Sequence, residues 1–291
     1  MIHSHRFRRL TAGVMLSAFT LAAAPQVYAH EPSRLKPGFN VFSVEQDVQL
    51  GQQAAADAER QLPILNDRRA ESYVNSIVRV LAREAPGARY PYQARVVNSA
   101  DINAFSLPGG FVYVNRGLIE AARTEGELAG VIAHEMAHVA LRHGTNQVSK
   151  AYAAQLGVGA LGAILSGGRS RGSSQVASIV GNLGLSALFL KFSRDAESQA
   201  DSLGARMMAE AGYDPNEMAN FFDLLQSRQR GGSSGVAQFL SDHPSPANRS
   251  QHIRQEARSF GGGERRVGNL EAVQYELQSL PSARRVSLRR R

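Results

Sequence analysis

The sequence contains no cysteine, which excludes a disulfide framework, a thiolate-held metal and a lipid anchor on cysteine. Any metal ion must therefore be held by nitrogen and oxygen. The apolar runs are short as well, none reaching the ~20 continuous residues that a membrane-spanning helix needs. Strong charge of one sign is missing too. There are 33 Lys and Arg against 25 Asp and Glu, a formal +8. Residues 1–29 account for three of those arginines and no acid, so without them the balance is 30 minus 25, or +5. Much of what remains sits in the tail (Arg284, Arg285, Arg289, Arg290, Arg291), which reads as a solvated end rather than a nucleic-acid face, with contact to an anionic envelope surface as the lesser reading.

What is present begins with a leader. Residues 1–29 have a basic start (His3, His5, Arg6, Arg8, Arg9), an apolar run from Leu10 to Ala24, and V-Y-A ending at Ala29. This is the pattern of a cleaved signal peptide and predicts secretion, the alternative being an uncleaved anchor. With 43% hydrophobic residues, the remainder can bury one sizeable core. One main domain is expected over 30–263, followed at the triple glycine 261–263 by a short C-terminal extension, 264–291, of strand and short-helix character.

The chain is organised around Thr124–Gly144, T-E-G-E-L-A-G-V-I-A-H-E-M-A-H-V-A-L-R-H-G. Thr124 and Glu127 form a capping box, Leu128, Val131, Ile132 and Val139 an apolar stripe, and Gly144 stands where a left-handed C-terminal cap belongs. On such a helix residues four apart lie one above the other, so His134 and His138 project from one face and can grip one metal ion. Glu135 emerges beside that ion, where its carboxylate can take a proton from an attacking water. Histidines satisfied by local hydrogen bonds are the bland reading of a lone H-x-x-x-H. The intervening Glu135 and the small Ala133, Ala137 and Ala140 favour zinc.

Upstream, a Ser43/Gln46 capping box opens a helix from Ser43 to Gln61, and a second helix with the 3.6 period runs from about Asp67 to Ala85. Short β-prone runs follow at Tyr92–Asn98, Ile102–Leu107 and Gly110–Asn115, with Pro108-Gly109 at the corners of a tight turn. In the last run, alternate side chains cover both faces. Gly109, Gly110, Phe111, Val112, Tyr113 and Val114 form either a plain core strand or an edge that holds an extended peptide by backbone hydrogen bonds.

Downstream, 151–192 reads as a helical hairpin with a polar, basic, glycine-rich tip, either buried or touching a membrane peripherally. Ser193–Ala211 is a helix stopped by Gly212, on which Glu197 and Asp201 share a face. By geometry the pair is either a solvated acidic flank or a third zinc ligand with an acid orienting a ligand histidine. Asp214-Pro215-x-Glu217 starts another helix, carrying Met218, Phe221, Phe222 and Leu225 on a core face. Gln229–Gly235 is a glycine-rich loop, and the segment from Asp242 opens a short helix through Ile253 and Phe260.

Four stretches in this order, I-N-A-F-S-L-P-G-G-F-V-Y-V (102–114), H-E-M-A-H (134–138), E-S-Q-A-D (197–201) and D-H-P-S-P-A-N-R (242–249), resemble the HtpX-like, CaaX-prenyl-protease-like zinc metallopeptidases, and among them the soluble envelope members. The resemblance implies an α+β, predominantly helical, zincin-like (gluzincin) domain with a small sheet whose edge strand borders the cleft. One Zn2+ per chain would be held by His134, His138 and Glu197, with Asp201 behind a ligand. It also implies a periplasmic location, polypeptide substrates, and a place at the cleft for His243 and for Arg249 as a substrate contact. For His243 three roles stay open: oxyanion donor, fourth zinc ligand, or cap of the helix that Pro246 begins. The leading function is an endopeptidase of misfolded or unassembled envelope proteins. The alternative is an envelope chaperone that binds unfolded chains in the same cleft and rarely cuts them. A purely structural zinc domain fits less well, since three protein ligands leave a coordination position open.

Overall fold

The structure, a computed structural model, describes residues 35–87, 89–156, 191–232, 234–244, 248–260, 268–281 and 283. The expected leader, 1–29, and most of the expected hairpin, 151–192, lie outside the described residues. Among the described residues the chain is mainly helical with one three-stranded sheet. Helix α1 (Val44–Gln61) opens on the expected reciprocal box, Gln46 N–H donating to Ser43 Oγ and Ser43 N–H to Gln46 Oε1. Helix α2 (Arg68–Ala82) is capped by Asp67. Strands β1 (Gln93–Val97), β2 (Ala104–Leu107) and β3 (Phe111–Asn115) follow, then α3 (Arg116–Ala121), α4 (Glu125–Ala140) and α5 (His143–Leu156). After residues 157–190 come α6 (Arg194–Glu210), α7 (Asn216–Arg230), α8 (Ala237–Asp242), α9 (Arg249–Ser259) and α10 (Leu270–Ser279). Among the described residues no helix is long and apolar enough to cross a membrane.

Helix α4 is the axis of the fold. Every residue from Glu125 to Ala140 is buried, so the helix is enclosed on all sides rather than along the expected stripe alone, and its buried Glu127, His134, Glu135 and His138 need partners within the protein. It packs against α2, α6, α7 and β2. The approach of α6 is close because Gly204 faces α4: a Cβ there would lie 3.1 Å from the His134 backbone nitrogen. Beyond α4, the main core takes in Val112 and Val114 of β3, while Tyr113 faces a second cluster with Phe42, Leu50, Leu62 and Tyr152 under α1 and α5. The alternation of β3 thus serves two cores, as its sequence suggested.

Three expectations need correction. First, β3 is the central strand and not an edge: it pairs parallel with β1 (Ala94 opposite Val112) and antiparallel with β2 (Phe105 opposite Tyr113). Its backbone is occupied on both sides, so residues 111–114 cannot receive a peptide strand; β2 is the edge on the α4 side. The turn itself is as read, with Pro108 leading and Gly109 at φ 79°, ψ 2°, the left-handed position of a type II turn. Second, the chain leaves α4 through Arg142, at φ 56°, and Gly144 lies inside α5. A non-glycine residue is held there by its own side chain, since the Arg142 guanidinium donates to Asp47 at 2.6 and 3.0 Å and to the Phe42 carbonyl at 2.6 Å. Third, of the strand and short-helix character expected for the extension, the described residues show the short helix alone, Leu270–Ser279, and its Leu270, Val273 and Leu277 join the main core. Gln274 ties it to α3 by donating to the Ile119 and Ala122 carbonyls.

Candidate metal centre and active site

Each side chain at the centre is placed by an element with its own local reason to exist. Thr124 Oγ1 caps α4 by accepting from Glu127 N–H at 3.1 Å; the Glu127 carboxylate reaches Arg123 N–H instead of closing the box. That helix presents His134 and His138 one turn apart. Ser193 caps α6, whose first turn carries Glu197 and whose second carries Asp201. Helix α8 ends at Asp242, and His243, with φ −116° and ψ 78°, turns its ring into the same space.

His134, His138, Glu197 and His243 are all buried, and one donor atom from each lies within 4.8 Å of the others. His134 Nε2 is 3.1 Å from His138 Nε2, 3.3 Å from His243 Nδ1 and 3.3 Å from Glu197 Oε2. Glu197 Oε1 is 3.1 Å from His243 Nδ1 and 3.6 Å from His138 Nε2. Buried polar atoms are ordinarily hydrogen-bonded, yet Glu197 Oε2 and Glu135 Oε1 have no hydrogen-bond partner among the described residues. Convergent, under-satisfied nitrogen and oxygen donors suit a cation.

Glu135 does not join that set. Ser106 of β2 holds it from the other side, its hydroxyl 3.0 Å from both Oε2 and the backbone carbonyl of Glu135. Glu135 Oε1 lies 3.3 Å from His243 Nε2. Burial pushes the Glu135 carboxyl up, against the pull of His243 and His134.

The two helix histidines are braced differently. His134 Nδ1 is 2.9 Å from Asp201 Oδ1. Asp201 in turn accepts from Arg249 Nε and Nη2 at 3.0 and 2.6 Å, and the Arg249 guanidinium lies 3.6 Å over the Phe222 ring. Burial and Arg249 both oppose charge on His134, but Asp201 and Glu197 outweigh them and raise its pKa to about 9. On Glu197 burial acts upward, but His243 and His134 hold the carboxyl far below the usual range. His138 Nδ1 faces His143 Nδ1 at 2.9 Å. Burial, then His134, depresses the His138 pKa, and burial lowers that of His143 to about 4.

The structure therefore brings His134, Glu135, His138, Glu197, Asp201 and His243 together. Arg249, expected as a substrate contact, is buried at 2% exposure with its donors on Asp201, so in this structure it braces His134 through Asp201. Ser106, His143 and Phe222 were missed. Only His143 carried a sequence signal, as a third histidine five residues after His138. Ser106 and Phe222 matter through contacts that no local pattern encodes.

The sequence profile of peptidase family M48 matches residues 68–257. The beta-barrel assembly-enhancing protease of Escherichia coli (strain K12) is 28% identical over 261 residues, which cover 86% of this chain and 53% of that protein. Metalloprotease LoiP of the same strain is 34% identical over 173 residues (59% of this chain, 65% of that protein). Mitochondrial metalloendopeptidase OMA1 of Schizosaccharomyces pombe is 28% identical over 225 residues (75% and 63%). The chain thus spans about half the length of the beta-barrel assembly-enhancing proteases it matches, 53% in the Escherichia coli case. Since the profile match runs from α2 into α9 and takes in every residue of the buried cluster, the chain belongs to peptidase family M48.

Proposed function

We propose that the chain is a zinc-dependent endopeptidase of the cell envelope, acting on misfolded or unassembled polypeptides. The observation that carries this reading is the set of four buried donors with Glu135 beside it. Four donors around a tetrahedral zinc with bonds of ~2.0–2.1 Å stand ~3.3–3.4 Å apart; five of the contacts here measure 3.1 to 3.6 Å, and the four donors all lie within 4.8 Å of one another. His134, His138 and Glu197 would hold the ion, which supplies Lewis acidity for activating water and polarising a peptide carbonyl. Glu135, its carboxyl raised by burial and aimed by Ser106, takes the proton from the attacking water and delivers it to the leaving amine. An extended substrate pairing with the edge strand β2 would pass beside that carboxylate.

His243 best fits the fourth-ligand role in this conformation. Its Nδ1 lies among the donors and its Nε2 faces Glu135, so with a metal bound it would take the coordination position that catalysis leaves open and engage the base as well. The arrangement is a resting form that His243 must leave before substrate enters. The names of the curated relatives and the leader at 1–29 support an envelope location. The 151–192 segment remains the candidate for peripheral membrane contact.

The test is Glu135→Gln in the full chain, measuring zinc per chain after dialysis and cleavage of a denatured envelope protein. Zinc should stay near one per chain while cleavage falls by ~10²–10⁴-fold. Binding of the unfolded chain with no zinc-dependent cleavage by the wild type would instead support the chaperone reading.

A further inference from the structure

The second ligand histidine is braced by a chain of neutral groups whose proton positions the geometry dictates. His138 turns Nε2 toward His134 and Glu197, so the lone pair a metal needs is on Nε2 and the proton is on Nδ1. That proton points at His143 Nδ1, 2.9 Å away. Two imidazole nitrogens at this distance need one donor and one acceptor, so His143 Nδ1 accepts. His143 then carries its own proton on Nε2, which lies 3.2 Å from the Gln199 carbonyl oxygen Oε1. Gln199 sits on α6, two residues after Glu197, so the helix that supplies the third ligand also ends the chain of hydrogen bonds.

His143 reaches this position through the left-handed step at Arg142, pinned to Asp47, which folds the first residue of α5 back onto α4. At 6% exposure, the ring is sheltered from competing water. Phe192 stacks on His138 at 4.0 Å and 19°, so the ring plane is fixed by packing and its in-plane partner is left to choose the tautomer. Ligand histidines usually give their second N–H to a carboxylate, a carbonyl or water; His134 does so with Asp201.

We propose that His143 is a positioning residue for the metal site: as a neutral acceptor relayed to Gln199, it locks His138 in the tautomer that presents Nε2 to the ion. This rests on the metal-site reading, but the tautomer can be read without metal. Partner loss of this kind lowers metal affinity by ~10–100-fold.

The experiment compares His143→Leu with His143→Asn in the full chain. Leu keeps bulk and loses the acceptor, whereas Asn places its carbonyl oxygen near the position of Nδ1. Two quantities are measured: zinc affinity by chelator competition, and the His138 tautomer in metal-free protein by long-range nitrogen–proton NMR. The expected result is ~10–100-fold weaker zinc binding and loss of the Nδ1–H tautomer with Leu, and values within a few-fold of wild type, with the tautomer kept, for Asn. A Leu variant with the wild-type tautomer overturns the proposal, as does an Asn variant as impaired as Leu, which would mark His143 as packing alone. If wild type and His134→Ala bind zinc equally, the metal-site reading fails, and the metal-free tautomer still decides the role of His143.

Discussion

Two kinds of support meet at this centre, and they differ in how firmly the chain holds them. His134, His138 and Glu197 stand on α4 and α6, two helices buried against each other with Gly204 at the contact, and His134 is braced further by Asp201 and Arg249. His243 hangs from the end of a six-residue helix. Its N–H donates to the Phe239 carbonyl at 2.8 Å and its ring stacks on Phe239 at 4.8 Å. The first three donors are fixed by the core, and moving any of them means unpacking α4 or α6. The fourth depends on a short helix, though one whose Phe239 is itself in the main core, and under the proposed mechanism it is the donor that must be withdrawn. That proposal divides permanence and removability between core helices and a connection, the usual division between scaffold and functional loop.

The largest effects should come from breaking the fixed set. Glu197→Gln removes the one carboxylate among the four donors, and zinc content after dialysis should fall from about one per chain to near zero. Asp201→Asn leaves the ligands in place but strips His134 of its anionic partner, and affinity should drop by ~10–100-fold. Full zinc occupancy in Glu197→Gln would remove that residue from the ligand set.

A smaller effect sharpens the contrast through pH. Because the His134 pKa is raised from 6.5 to about 9 by Asp201 and Glu197 against burial and Arg249, protons compete with metal for Nε2 up to that pH. Zinc affinity should therefore climb from about pH 6.5 to 9 and then level off. The metal-free protein should show the opposite trend: a histidine pKa raised on folding contributes stability that is fully present below 6.5 and is lost as pH rises through about 9. Chelator competition and thermal unfolding in chelator, each across this range, check the two halves. In Asp201→Asn the affinity should level off at a lower pH.

How much of this could be read from the sequence follows from how local each cause is. The α4 helix, its Thr124 cap, the ligand pair and Glu135 depend on neighbours within a few residues, and so do the Ser43/Gln46 box and the Pro108-Gly109 turn. Glu197 needed either the resemblance or the fold, since on its own helix it is indistinguishable from a solvated acid. The order β1-β3-β2 was not legible, because a parallel pairing between residues 93–97 and 111–115 leaves no mark in either strand. Arg142 takes the left-handed step through Asp47, 95 positions away, where local pattern favoured Gly144. The link from Arg249 to Asp201 and Phe222 was not legible for the same reason: nothing near a motif arginine in the sequence marks the partners that enclose it.

The most direct test of the division between fixed and removable ligands is the basal cleavage rate of His243→Ala at saturating zinc, with zinc content measured alongside. If His243 closes a resting site, the variant should retain about one zinc on His134, His138 and Glu197 and cleave a denatured envelope protein faster than wild type. A fall of ~100-fold with zinc retained would contradict this account and make His243 a donor to the transition state instead.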